Sequence, residues 1–332
     1  MLTDAYLRKH DYLRVSITDK CNLRCRYCMP PEGVELLPHE KILRNEEFIR
    51  LIGIFASMGV VKVRFTGGEP LVRKGFIDIV SQTRSLFPDL ELCLTTNGIL
   101  LGDYIDDLRR LSLKKLNISL DTLSRERYLA ITMRDKLDDV TAAIDRALAF
   151  GFFDIKINAV LFGETIPELD RFLDFFRERD VALRFIEKMP FVTGDGGGSF
   201  LSSDVFVKEL SLRGDLVRNS AFDTNVAVMY DFKYRGKYPM RIGVIPPMTH
   251  KFCSSCNRLR ITSDGFLKTC LHSDANYNLK RLLTEGADDE TIRQEILKAV
   301  SMKGKGHSLD CVSEDGGCSA LVRSGFMSKI GG

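Results

Sequence analysis

No stretch of this chain is apolar for long enough to cross a bilayer: the longest, near Leu51–Val61, is broken by glycines and falls short of the ~20 residues a spanning helix needs. The N-terminal residues Met1–Arg14 scatter charges where a secretory signal would carry an apolar core, and there is no Arg/Ser-rich transit segment, so the expected location is cytoplasmic. Charge of one sign is missing too. With 48 Lys and Arg against 45 Asp and Glu, the net charge of +3 gives no general attraction to nucleic acid or to a membrane surface, and any basic character that matters must be local. No GxxxxGK[ST] pattern occurs, so a nucleotide, if bound, is not held by a P-loop. Internal repeats and low-complexity tracts are also absent.

What is present fits a large α/β protein. The 332 residues are 44% hydrophobic and 28% charged, enough for one large domain or two smaller ones. Strand-like runs at Tyr12–Thr18, Val60–Thr66, Glu91–Thr96, Lys115–Leu120, Asp154–Leu161 and Ala182–Glu187 alternate with helical patterns. The helices are predicted at Asn45–Met58, with Asn45 as its cap, and at Gly75–Leu86, Asp103–Leu111, Leu137–Phe150 and Ile166–Arg179. Six β/α units in a row imply right-handed crossovers and a parallel sheet, either doubly wound or a complete or partial βα-barrel. The run Gly194–Gly198 marks a boundary, giving expected domains 1–193 and 194–332. Beyond it, Ser202–Leu210 and about Asp288–Ser301 read as helices, and Val226–Phe232 and Met240–Ile245 as strands.

Six of the nine cysteines fall into two spaced groups, which in a reducing compartment read as metal sites. Cys21-x3-Cys25-x2-Cys28 follows the first strand directly. Three thiolates from one loop can hold three irons of a [4Fe–4S] cube and leave the fourth open. The alternatives are a disulfide with one thiol left over, or zinc completed by His39 or Cys93. Cys253-x2-Cys256-x13-Cys270 is a second set of three, with Arg258 and Arg260 beside it to pair with an anionic ligand, and with His272 able to complete a zinc site instead. Cys93, within a strand, reads as a small core residue.

Strand residues two apart share a face. On that rule Lys62, Arg64 and Thr66 point one way, as do Asn117, Ser119 and Asp121, then Lys156 and Asn158, and Thr95 and Asn97. Repeated polar and charged positions would be costly in a closed apolar core, and they suit a cavity that holds something anionic. Thr66-Gly67-Gly68-Glu69-Pro70 ends the second strand; its glycines let the backbone approach a ligand, and the Glu69 carboxylate could meet an ammonium group.

The first cysteine loop, with the strand before it and Tyr27 within it, resembles the signature of the radical S-adenosylmethionine (SAM) superfamily. Further motifs resemble one family inside it, the GTP 3′,8-cyclases of molybdenum cofactor biosynthesis. These are Ser16-Ile17-Thr18-Asp19-x-Cys-Asn-x-x-Cys-x-Tyr-Cys-Met-Pro, Gly67-Gly68-Glu69-Pro70, Thr95-Thr96-Asn97-Gly98, Asn117-Ile118-Ser119-Leu120-Asp121, Arg184-Phe185-Ile186-Glu187, Cys256-Asn257-Arg258-Leu259-Arg260 and the terminal Ile330-Gly331-Gly332. The resemblance runs from about residue 10 to the end. It implies an incomplete βα-barrel of about six βα units, closed by a C-terminal α+β region.

By the same resemblance the cofactors are SAM and two [4Fe–4S] clusters, one on Cys21, Cys25 and Cys28 and one on Cys253, Cys256 and Cys270. Tyr27, Gly68, Glu69, Ser119 and Met189 would contact SAM. Arg14, Lys62, Arg64, Thr95, Lys156, Arg184, Arg258, Leu259 and Arg260 would contact GTP, with Arg258 and Arg260 as the catalytic pair. The implied reaction cleaves SAM reductively to methionine and a 5′-deoxyadenosyl radical. That radical takes the ribose 3′ hydrogen of GTP, the carbon radical attacks guanine C8, and one electron and a proton complete the cyclised product. Implied partners are a flavodoxin- or ferredoxin-like electron donor, cyclic pyranopterin monophosphate synthase and a second copy of the chain, with no nucleic acid or membrane. The Gly331-Gly332 tail would reach into the active site, whereas Cys311 and Cys318 match no motif of the family. Two other readings compete: a radical SAM enzyme acting on a peptide or another small molecule, and a zinc-stabilised binding module without catalysis.

Overall fold

The computed structural model describes residues 1–190, 198–273 and 276–307. The Gly194–Gly197 part of the predicted boundary loop, Cys311, Cys318 and the Gly331-Gly332 tail lie outside the described residues. The chain begins with alternating elements: β1 (Tyr12–Ser16), α1 (Asn45–Ser57), β2 (Lys62–Thr66), α2 (Phe76–Leu86), β3 (Glu91–Thr96), α3 (Leu101–Arg110) and β4 (Lys115–Ser119). Two helices, α4 (Arg125–Thr132) and α5 (Leu137–Ala149), then lead to β5 (Asp154–Leu161), α6 (Thr165–Phe176) and β6 (Ala182–Glu187). The C-terminal part holds α7 (Ser203–Ser211), β7 (Gly214–Arg218), β8 (Val228–Tyr234), β9 (Tyr238–Ile245), β10 (Arg258–Ile261), β11 (Phe266–Lys268), β12 (Tyr277–Asn278), α8 (Leu279–Thr284) and α9 (Asp289–Ser301).

Among the described residues twelve strands form one sheet, in the order β12-β11-β10-β1-β2-β3-β4-β5-β6-β9-β8-β7. The six expected strands β1–β6 run parallel at its centre. Two strands from the C-terminal part extend this parallel array, one at each edge: β9 beside β6 and β10 beside β1. The segment 246–257 therefore carries the chain from one edge of the open barrel to the other.

The two sheet faces differ sharply. Toward the helices point Leu13, Val15, Val63, Phe65, Leu92, Leu94, Leu116, Ile118, Ile155, Ile157, Leu183 and Phe185, all at most 2% exposed. Full burial of each such side chain contributes about 1.5–3 kcal/mol. The inner face is polar. In-register neighbours on parallel strands share a face, and the register gives a row Arg258–Tyr12–Lys62–Glu91, then Arg260–Arg14–Arg64–Cys93–Lys115–Asp154. Further along come Thr95–Asn117–Lys156 and Ser119–Asn158–Arg184.

The cap of α1 differs from the expectation. Arg44 is the N-cap, because the Glu47 carboxylate accepts its backbone N–H at 2.7 Å. Asn45 is the first helical residue, and its Oδ1 instead accepts from Arg73 Nη2 at 2.8 Å. Glu187, fully buried at the end of β6, ties the C-terminal part to the barrel: its carboxylate accepts from Ser203 N (2.7 Å), Met248 N (3.0 Å), Thr249 N (3.0 Å) and Thr249 Oγ1 (2.5 Å).

Candidate active site

The barrel interior contains a cavity of about 540 Å³, reaching from Tyr27 near the first cysteine loop to Cys253, Cys256 and Cys270 of the second group. Arg14, Lys62, Arg64, Lys156, Arg184, Arg258 and Arg260 all line it, joined by Lys115. Carboxylates answer part of this charge. Lys62 pairs with Glu91 at 2.6 Å, Lys115 also pairs with Glu91, and Lys156 pairs with Asp154 at 2.9 Å. Arg64 donates to Tyr12 Oη (2.6 Å) and to the Leu94 carbonyl (2.7 Å). Guanidinium crowding shows in the titration of the group. Burial, then Arg64 and Arg258, pull Arg184 down to about 10, and burial, then Arg258, does the same to Arg260. Burial alone would raise the Tyr12 phenol, yet Arg64, Arg14 and Arg258 outweigh it and bring it to about 8.

Several buried polar atoms on this wall have no hydrogen-bond partner among the described residues: Thr95 Oγ1, Asn117 Oδ1, Asn158 Oδ1, Arg184 Nε and Arg258 Nε. An unsatisfied buried group costs about 1–3 kcal/mol, so such a wall fits a polar ligand far better than an empty space: the guanidinium Nε atoms suit its anionic part, and the amide oxygens, which only accept, suit its N–H or O–H groups.

Backbone interlocking with the ends of β2 and β3 holds the first cysteine loop. Gly68 N donates to Thr18 O and Glu69 N to Lys20 O, both at 2.8 Å. A Cβ on Gly68 would lie 2.3 Å from Lys20 O, so only glycine lets the two segments approach. Asn97 Nδ2 donates to Asn22 Oδ1 at 2.6 Å, and the far side of the loop is tied to the end of α4 through Arg24 N to Thr132 O and Arg26 N to Ile131 O. Tyr27 Oη donates to Asp121 Oδ2 at 2.8 Å, while Asp121 Oδ1 accepts from Val160 N at 2.8 Å. Burial pushes the Cys21 thiol up to about 11 and the Cys25 thiol well above its usual value. Three half-buried cysteines on one loop form a donor set that matches an iron–sulfur cube, whose irons supply the positive charge the thiolates lack here.

In the second group, Cys253 and Cys256 sit on the segment joining β9 to β10, and Cys270 follows β11. Behind it lies a buried set that the sequence did not suggest: Asp4, Arg8, His10 and Lys303. Burial raises the Cys256 thiol, but Lys303, Arg258 and Arg260 outweigh it and hold that thiol below its usual value.

Not every predicted contact faces the cavity. Leu259 is 0% exposed and in register with Leu13 on the apolar face, because alternation points its side chain away from Arg258 and Arg260; it does not line the cavity. The Glu69 carboxylate is buried and accepts from Thr96 Oγ1 (2.8 Å), Asn97 N (2.7 Å) and Leu71 N (3.1 Å), and burial raises it to about 7. Tyr27, Ser119 and Met189 line the cavity; Gly68 shapes the adjoining loop. Cys93 is buried and its thiol donates to Glu91 at 3.6 Å, and His39 is exposed, so neither joins the first loop. Among the described residues no three His, Cys, Asp or Glu side chains gather around a point that one metal ion could occupy. The sequence signal missed at Glu91, Lys115 and Asp154 is the same period of two that revealed Lys62 and Lys156.

The sequence profile of the Radical SAM superfamily matches residues 15–176, and that of Molybdenum Cofactor Synthesis C matches residues 181–309. A GTP 3′,8-cyclase of Peptoclostridium acidaminophilum is 40% identical over 336 residues, covering 100% of this chain and 98% of its own. One of Clostridium botulinum strain Hall is 40% identical over 283 residues, with 84% and 86% covered. Molybdenum cofactor biosynthesis protein 1 of Dictyostelium discoideum is also 40% identical, but the match covers 93% of this chain and 49% of that protein. In fold, the chain is similar to Streptococcus suis SuiB solved with S-adenosylmethionine, at a TM-score of 0.59 and 15% identity over 85% of this chain and 67% of that one.

A partial barrel of parallel strands with a three-cysteine loop after its first strand defines a radical SAM enzyme, which works with SAM and a [4Fe–4S] cluster. Within that class, this chain belongs to the GTP 3′,8-cyclase family.

Proposed function

We propose that the chain divides the family's reaction, conversion of GTP to (8S)-3′,8-cyclo-7,8-dihydroguanosine 5′-triphosphate at the start of molybdenum cofactor biosynthesis, between the two ends of its cavity. The observation that carries this reading is the wall of cations between the two cysteine groups, with its buried polar atoms lacking partners. When bound, the cluster and SAM supply the 5′-deoxyadenosyl radical that removes the ribose 3′ hydrogen. Cys21, Cys25 and Cys28 hold the first cluster. Tyr27, Gly68, Glu69, Ser119 and Met189 shape the SAM site, with Glu69 toward its amino group. Cys253, Cys256 and Cys270 would hold a second [4Fe–4S] cluster, which would supply a binding point for the guanine end of GTP.

Arg14, Lys62, Arg64, Lys156 and Arg184 receive the triphosphate, and Thr95 the remaining polar edge. Arg258 and Arg260 orient GTP against the second cluster. Their part is to bind, align and exclude water, which lowers the barrier by fixing reactive geometry. On this reading residues 1–193 start the radical and receive the triphosphate, and 194–332 hold the guanine end of the substrate. The donor is a flavodoxin- or ferredoxin-like protein, the product passes to cyclic pyranopterin monophosphate synthase, and the working form is a homodimer.

The test is anaerobic incubation of reduced protein with SAM, with and without GTP. The expected result is 5′-deoxyadenosine formed in step with GTP consumption, and an iron count near eight, as two cubes require. Deoxyadenosine formation indifferent to GTP overturns the reading in favour of a peptide or another small-molecule substrate. A colourless, zinc-containing protein overturns it in favour of a binding module.

A further inference from the structure

Lys303, just past α9, is 3% exposed, and its ammonium group has three acceptors around it. Nζ lies 2.9 Å from the Arg258 carbonyl, 3.7 Å from Cys256 Sγ and 3.5 Å from His10 Nδ1. The other side of that imidazole is also fixed: His10 Nε2 is 2.9 Å from Asp4 Oδ2, so Nδ1 is left to accept and Nε2 to donate. Asp4 accepts from Arg8 Nε at 2.6 Å. Arg8 then binds three carbonyls across the segment behind the cysteines: Cys253 (2.8 Å), Gly304 (2.7 Å) and Lys305 (2.9 Å). The N-terminal residues and the chain after α9 thus converge on one buried cation, and that cation touches the sulfur of a cysteine and the backbone of Arg258. A buried ammonium is costly unless its surroundings use the charge.

We infer that Lys303 is a positioning residue that sets the redox properties of the group held by Cys256, while His10, Asp4 and Arg8 keep it aimed. The inference rests on the proposed second cluster. A donor to a thiolate ligand withdraws electron density from the metal, and a positive charge stabilises the more reduced, more negative state. The same ammonium fixes the carbonyl of Arg258, so one side chain couples the cluster to a proposed GTP-binding residue. No proton or electron passes through Lys303; its contribution is a fixed charge at a fixed distance.

The experiment uses full-length protein reconstituted anaerobically, comparing wild type, Lys303→Met and Lys303→Arg by iron count and by redox titration followed with electron paramagnetic resonance. The cluster on Cys21, Cys25 and Cys28 serves as the internal reference. Expected for Lys303→Met is eight irons and an unchanged first cluster. Its second cluster should be about tenfold harder to reduce, a downward shift of ~59 mV for one electron, and Lys303→Arg should restore the potential. Loss of four irons in Lys303→Met with recovery in Lys303→Arg also supports a requirement for the charge. Eight irons with an unchanged potential in Lys303→Met overturns the inference alone. So does equal loss of iron in both variants when both melt like wild type. A wild-type protein with only four irons overturns the inference and the second-cluster reading together.

Discussion

The two cysteine loops face one cavity but are built by opposite means. The first is gripped mainly by backbone: Gly68, Thr18, Lys20 and the end of α4 close around it, and the charged groups close to its thiols are the carboxylates Asp121 and Glu69 together with one guanidinium, Arg24. Its Cys21 and Cys25 thiols are pushed up. The second is gripped by charge. Arg8 and Lys303 hold it from behind, Arg258 and Arg260 stand in front, and Cys256 is pushed down. Shape dominates at one end and electrostatics at the other. A site that must always present the same cofactor in one orientation is well served by a rigid glycine-lined loop. A site that, as proposed, accepts a polyanion beside a second cluster would be well served by fixed cations.

Substitutions that separate shape from charge test this contrast most directly. The largest effect is expected from Cys21→Ala, Cys25→Ala and Cys28→Ala together: no 5′-deoxyadenosine at all, and four irons retained by the second site, measured by product analysis and iron assay. Gly68→Ala should come next. Its methyl group has no room beside Lys20 O, and displacing the loop by about 1 Å should cost about a hundredfold in turnover, with GTP affinity measured by calorimetry unchanged. Arg260→Met should do the reverse. Losing a charge-assisted contact of about 1.5–3 kcal/mol raises the KM for GTP roughly ten- to a hundredfold, while SAM binding stays as it was.

The smallest effect concerns Glu69. Its folded value of about 7 lies above the ordinary 4.5, so the folded protein keeps this proton while the unfolded chain loses it between those values. Stability from this group is therefore fully present below about 4.5, falls as pH rises toward 7, and is lost above it. Thermal melts should show that slope in wild type and lose it in Glu69→Gln. Because only the carboxylate attracts an ammonium group, SAM affinity should change the opposite way. It should weaken by up to about tenfold for each pH unit below 7, and titrations at pH 6 and pH 8 measure this.

Much of this arrangement was legible in the sequence, because it rests on short-range rules. Cysteine spacing gave both thiol groups, and the strand period of two placed Lys62, Arg64, Asn117 and Lys156 on one face. The same rule, applied strictly, would have turned Leu259 outward. The Asn45 cap was misplaced by one residue because Glu47 reaches back to Arg44 and shifts the helix start. Helix α4 escaped notice because RERYLAIT carries no continuous apolar stripe; only Tyr128, Ile131 and Thr132 are buried. Asp4, His10 and Lys303 were illegible for another reason. Each looks like an ordinary solvated residue, and they meet only after nearly the whole chain has folded.

The position of β10 beside β1 has a consequence for how the protein is made. β1 emerges first from the ribosome, yet one of its two neighbours lies about 250 residues further on. At 5–20 residues per second that edge stays unpaired for roughly 12–50 s, with the Cys21 loop attached to it. During that interval the first three thiols lie on an unfinished barrel, open to iron–sulfur delivery before 246–257 crosses the mouth. On the proposed assignment of the two clusters, order of synthesis therefore favours loading the radical-generating end first.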